Sequence, residues 1–191
     1  KKGSSNMKAV LISINPLWCE LIGNGEKTIE VRKNRPKLKT PFKVFIYCTK
    51  AKTDGEYLWT AKSTTIGKMA DVANGKVIGE FICDKVIEEL PNPRYEKLLN
   101  GSCLDNDTLI NYGKFGILYG WHISNLKLYD VLKDLKEFYK ECKGGCGNVC
   151  KHWRYIRVNA DEYDMDCDCD GLIPITKPPQ SWCYVEYYGA K

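Results

Sequence analysis

The spacing of apolar residues changes abruptly at Gly23-Asn24-Gly25, and that change constrains the fold of this chain more than any other feature. Before it, Leu17 with Leu21 and Trp18 with Ile22 lie four apart, the spacing of a helix face. After it, Ile29 and Val31 alternate with polar residues through Thr28–Arg32, the spacing of a half-buried strand. Asn15-Pro16 supplies a cap and a proline at the first helical position, so the helix lasts only about two turns. Lys8–Ile14 before it is short, apolar and partly β-branched, and reads as a buried strand.

The same alternation marks Phe42–Thr49 as a strand and Lys76–Glu88 as the longest and most central one, ended by Pro91 and Pro93. Tyr95–Leu99 and Thr108–Tyr112 read as short helices on a surface connection. Gly116–Tyr129 reads as one long strand bent at Gly120, and Asp134–Cys142 as a helix with Leu135 and Phe138 on one face. Leu172–Ile175 and Ser181–Tyr188 are short extended runs. Residues 50–75 are polar and glycine-bearing, an excursion with a weak helical section at Ile66–Val72. Several strands with few, short helices predict an α+β domain on a curved sheet or small barrel.

Composition sets the broad class. Of 191 residues, 43% are hydrophobic and 28% charged, as in globular domains generally. No window is long and apolar enough to span a bilayer, so no membrane partner is expected. Lys1–Asn6 has no apolar core and reads as an expression remnant ahead of a natural start at Met7, with 7–191 as one domain. That reading places the protein in the cytoplasm, where thiols stay reduced, so ten cysteines are expected as small core residues and metal ligands rather than disulfides.

The net charge of +5 is mild, and its distribution is more informative. Arg32, Lys33, Arg35, Lys37 and Lys39 fall within eight residues, suited either to a solvated turn or to a phosphate backbone. The glycine turn beside Lys27, Thr28, Glu30 and Arg32 offers backbone donors and cations to an anionic or polar ligand. The plainer reading is a surface ion pair along one strand. Tyr47, Tyr57 and Trp59 are candidates for base stacking, although strand aromatics more often belong to a core. Glu80 stands in an apolar strand as either an outward or a functional carboxylate. His122 beside Trp121 reads as a structural histidine.

The patterns S-I-N-P-L-W-C-E-L-I (13–22), G-x-K-T-I-E-V-R (25–32) and F-I-Y-C-T-K (45–50) resemble the ASCH family, a branch of the PUA-like β-barrel superfamily. V-I-G-E-F (77–81), Y-G-W-H-I (119–123) and W-C-Y-V-E (182–186) resemble its later strands. The resemblance implies a PUA-like curved β-barrel with a cleft between helix and barrel that binds RNA or a modified nucleoside. Its site residues here would be Gly25, Lys27, Thr28, Glu30, Arg32 and Arg35. It also implies an alternative activity, hydrolysis of acylated cytidine or of nucleic acid. The hydrolases carry a lysine, a threonine three residues later and a glutamate from elsewhere; here Lys27 matches, Glu30 replaces the threonine, and Glu80 and Glu96 are candidates for the third position. A carboxylate beside Lys27 and Arg32 is better suited to accept hydrogen bonds from a base than to act as a general acid.

Cys142, Cys146, Cys150, Cys167 and Cys169 form a second feature, a Cys/Asp-rich insertion over 142–171. Four thiolates, with His152 as a substitute, would suit structural zinc, although the usual two-residue spacing is missing. Free thiols, a redox pair and an iron–sulfur cluster are the alternatives. Asp166–Ile173 opens like a calcium-binding loop, but Pro174 and Lys177 occupy its ninth and twelfth positions. A third functional reading makes this module the contact surface of a protein-interaction adaptor.

Overall fold

The computed structural model describes residues 6–50, 73–142, 153–157, 159, 163–167 and 171–188. The chain runs β1 (Asn6–Ile14), α1 (Pro16–Gly23), β2 (Ile29–Arg32), β3 (Phe42–Cys48), β4 (Val77–Cys83), β5 (Val86–Glu89), α2 (Glu96–Ser102), α3 (Asn106–Gly113), β6 (Leu118–His122) and β7 (Ser124–Lys133). A single 3-10 turn at Leu135–Glu137, β8 (Tyr139–Glu141), β9 (Trp153–Arg157), β10 (Tyr163–Cys167), β11 (Leu172–Pro174) and β12 (Trp182–Tyr188) follow.

Seven strands form a mixed sheet in the order β11-β8-β12-β1-β3-β4-β7. β1 lies at its centre, parallel to β3 and antiparallel to β12. This explains why Lys8–Ile14 reads as a continuous apolar run: both of its faces are covered. Val10, Ile12 and Ile14 point into one core with Val44, Ile46, Phe81 and Trp121. Ala9 and Leu11 point into another with Phe45, Tyr47, Leu135 and Phe138.

β2, β6 and β5 form a separate three-stranded sheet, and β9 pairs with β10. The α+β class therefore holds, but the strands do not close into the expected barrel. Two expected strands divide between the sheets. The predicted strand over Lys76–Glu88 stops at Cys83 and resumes at Val86 in the smaller sheet. The predicted strand over Gly116–Tyr129 likewise divides at Ile123, whose N–H donates to Thr28 O at 2.8 Å. His122 Nδ1 lies 2.7 Å from Asp84 Oδ1 and ties the two breaks together, in keeping with a structural histidine.

Gly120 lies inside β6. It admits α2, because a Cβ there would lie 2.5 Å from Leu98 Cδ2 and 2.8 Å from Ile29 Cγ2. The helix expected over Asp134–Cys142 is instead the 3-10 turn followed by β8. Leu135 and Phe138 still bury together, because β8 joins the sheet edge and carries both inward.

Cys142 N–H donates to Gly171 O at 2.9 Å, and β8 pairs with β11, so the two ends of the cysteine-rich stretch meet at the sheet edge. Cys146, Cys150, Cys169, His152, Tyr57 and Trp59, and the section 66–72, lie outside the described residues. Of Cys167 only the backbone is described.

Candidate functional site

The site grows from the way β2 is enclosed. Ile29 and Val31 pack against Tyr95, Leu98, Leu109 and Leu118 beneath α2 and α3. Side chains alternate across a strand, so Glu30 and Arg32 are directed to the other face. That face is covered too, since Glu30 sits opposite Trp121 of β6 in the core beneath α1. The strand expected to be half-buried is therefore buried on both sides. Only 7% of the Glu30 side chain and 12% of the Arg32 side chain are exposed.

Two cations close on the Glu30 carboxylate. Arg32 Nη2 lies 2.9 Å from Oε1, and Lys27 Nζ lies 3.5 Å from Oε2 with its side chain only 2% exposed. Arg32 Nη2 also donates to Ser13 O at 2.6 Å, which ties β2 to the end of β1. Lys27 Nζ donates to Ser102 O at 2.6 Å and stands 5.2 Å from the centre of the Trp18 ring.

Ser102 is placed by a distortion in α2, where Asn100 and Gly101 leave helical geometry and Gly101 adopts φ +90°. Gly101 O accepts the Thr28 N–H at 2.7 Å, which locks this turn onto the start of β2. Burial pushes the Lys27 ammonium below its ordinary value of 10.5, and Glu30 opposes that shift. The Arg32 Nε–H is buried and has no acceptor among the described residues, as is also true of Trp121 Nε1.

These groups line a pocket of about 290 Å³, near the lower bound of roughly 300 Å³ for small-molecule sites. Trp18 forms part of one wall, and Leu104, Thr108 and Tyr112 form another. The last two come from α3, whose N-cap Asp105 accepts the Thr108 N–H at 2.7 Å. They are four residues apart and share a helix face. The pocket thus pairs two cations and one carboxylate with two aromatic rings and the hydroxyl side chains of Ser13 and Thr108.

Of the six ligand-binding residues expected from the sequence, Lys27, Glu30 and Arg32 meet here. Gly25, Thr28 and Arg35 do not line the pocket. The glycine turn offers no backbone donors, because N–H groups 24 to 27 are all bonded to carbonyls of α1. Gly25, at φ +81°, serves that cap. The Thr28 hydroxyl faces Gly101 instead, and Arg35 lines a different cleft.

Glu80 is also elsewhere: Lys43 Nζ lies 2.8 Å from Oε1, and Tyr129 OH donates to Oε2 at 2.7 Å. Glu96, on α2, is not part of the pocket wall. Tyr47 is buried in the second core and offers no face to a base. The aromatic walls are Trp18, whose spacing marks it only as part of an apolar helix face, and Tyr112, from a segment that reads as a surface connection. Among the described residues no group of three His, Cys, Asp or Glu side chains is placed to hold a metal ion. No helix there is long and apolar enough to cross a membrane.

No family model and no curated protein matches the chain. Solved structures do. The crystal structure of ASCH from Zymomonas mobilis superimposes with a TM-score of 0.53 at 14% identity, over 92% of this chain and 86% of that one. A serine-to-alanine variant of that protein gives 0.53 at 16% identity, over 92% and 87%. At such identities the likeness is one of fold.

Proposed function

We propose that this chain, whose fold is that of the ASCH proteins of Zymomonas mobilis, binds RNA or a modified nucleoside in the pocket between α1, β2 and α3. The observation that carries this reading is the convergence of Lys27, Glu30 and Arg32 in one aromatic-walled pocket. A surface ion pair would leave these groups in water; here little of any of the three side chains is exposed. Glu30 accepts hydrogen bonds and suits an exocyclic amino group such as that of cytosine. Trp18 and Tyr112 offer faces on which a base stacks. Lys27 and Arg32 leave the site with a net positive charge suited to a carbonyl or phosphate oxygen.

The test is binding of single-stranded RNA as salt is raised. Affinity is expected to fall steeply with salt and to be lost in the Lys27→Ala, Arg32→Ala variant. Unchanged affinity in that variant would refute the reading.

One observation favours a second reading, hydrolysis of an acylated cytidine. Lys27 sits below its ordinary value, and the hydroxyl that the sequence lacks at position 30 is present in the pocket as Thr108. Lys27 in its neutral form would take a proton from the attacking water. The amide bond would break to release a carboxylic acid, and the proton would pass to the departing cytidine amine. Turnover abolished by Lys27→Ala and by Thr108→Ala would support it, and no turnover by the unmodified protein would dismiss it.

A further inference from the structure

The β2–β3 loop encloses a second cleft, of about 520 Å³, lined by Arg35, Lys37, Lys39, Thr40 and Val86 among others. Among the described residues no acidic side chain lines it. Along the loop, exposed Arg35, Lys37 and Lys39 alternate with buried Pro36 and half-buried Leu38. Leu38 packs against the first core, which anchors the loop from beneath. Two polar contacts fix it further: the Lys37 N–H donates to Tyr184 OH at 2.7 Å, and Trp182 Nε1 donates to Asn34 Oδ1 at 2.7 Å. A merely solvated basic turn has no need of such anchoring.

The three cations are therefore held together on the solvent side. Lys8, Lys43 and Lys76 each meet a carboxylate, but Arg35, Lys37 and Lys39 form no ion pair among the described residues. Like charges fixed close together repel, and a polyanion laid along them relieves that repulsion.

The cleft and the pocket draw on one stretch of chain. Arg32 lines one and Arg35 the other, and three residues of chain span at most about 11 Å. Between them Lys33 Nζ stands 4.8 Å from the centre of the Tyr112 ring, on the pocket wall. A cationic groove beside an aromatic-walled pocket is the pairing by which single-stranded nucleic acids are held, backbone in the groove and base on the ring.

We infer that the Arg35–Lys39 cleft carries the phosphodiester backbone of a single-stranded oligonucleotide, one of whose bases occupies the Lys27 pocket. This rests on the pocket reading and narrows its ligand from a free nucleoside to a strand. An acidic polypeptide would match the charge but would have no use for the adjoining aromatic pocket.

The experiment compares the full chain with the Lys37→Ala, Lys39→Ala variant and the Lys27→Ala, Arg32→Ala variant. Fluorescence anisotropy follows a labelled single-stranded RNA of about ten nucleotides, chemical shifts follow free cytidine, and oligoglutamate of the same length serves as the acidic competitor. Loss of Lys37 and Lys39 is expected to weaken RNA binding roughly tenfold at low salt. It should also flatten the log–log salt dependence by about 1.4, at about 0.7 per phosphate contact, while cytidine binding stays the same. RNA affinity and salt slope unchanged in that variant would overturn the cleft and leave the pocket reading standing. RNA binding lost there but kept in the Lys27→Ala, Arg32→Ala variant would overturn the pocket reading and leave the cleft as a phosphate track. Oligoglutamate displacing the RNA as well as unlabelled RNA does would overturn the nucleic-acid assignment.

Discussion

At the scale of single residues, Glu30 holds the site together. Its carboxylate lies between two buried cations, Lys27 at 3.5 Å and Arg32 at 2.9 Å. Removing the central charge from such a buried group leaves both cations uncompensated, at a cost of about 3–5 kcal/mol. Glu30→Gln keeps the volume and removes the charge, so its free energy of urea unfolding is expected to fall by about that amount. A loss under about 1 kcal/mol would mean that the group is solvated like a surface pair. These three residues are legible in the sequence because they stand close together in G-x-K-T-I-E-V-R. Trp18, Thr108 and Tyr112 are not: they reach the pocket from α1 and α3, and only tertiary packing brings them, and the Ser102 carbonyl from α2, to Lys27. The spacing of Thr108 and Tyr112 shows only that they share a helix face.

At the scale of elements, the α2 distortion joins the smaller sheet to the site. Gly101 at φ +90° turns the chain, receives the Thr28 N–H and sets Ser102 O above Lys27. A Cβ at Gly101 would collide with Thr28 Oγ1. Gly101→Ala is thus expected to destabilise the chain by more than about 1 kcal/mol and to weaken RNA binding, because the Lys27 anchor shifts. Thermal unfolding and anisotropy check the two effects; a variant normal in both would separate this turn from the site. β1, β2, β3, β11 and β12 were legible, since they follow their apolar spacing to within a residue or two, whereas β9 and β10 lie in the stretch read only as a Cys/Asp-rich insertion. The breaks at Asp84-Lys85 and Ile123 were not. No local turn signal marks Ile123, whose amide is claimed by Thr28 O from a distant segment. The 3-10 turn and β8 were missed because Leu135 and Phe138 have helical spacing, whereas pairing with β12 decides the conformation that follows.

At the scale of the whole molecule, two cores lie on opposite faces of the seven-stranded sheet, and the candidate carboxylates are spread over three places: Glu30 in the pocket, Glu80 on that sheet and Glu96 on α2. Glu80 links β3, β4 and β7 through Lys43 and Tyr129. Partial burial works to raise its pKa, but the hydrogen bonds from Lys43 and Tyr129 outweigh it and hold the carboxyl below its ordinary 4.5. A carboxyl depressed on folding contributes stability that is fully present above its unfolded value and is lost as pH falls through the folded one. Unfolding midpoints followed downward from about pH 6 should therefore show a larger loss below about pH 4.5 in the natural chain than in Glu80→Gln. Parallel curves would remove that link, and because Glu80 lies away from the pocket, the variant should still bind RNA. The central claim is that a nucleic-acid ligand enters the pocket lined by Lys27, Glu30 and Arg32; the reporter is the Arg32 Nε–H. Its ¹⁵N–¹H resonance, assigned by its loss in Arg32→Lys, tests this most directly during titration with single-stranded RNA. The account predicts that this resonance and the Trp18 indole N–H shift along one saturation curve; RNA that binds while both stay in place would contradict it.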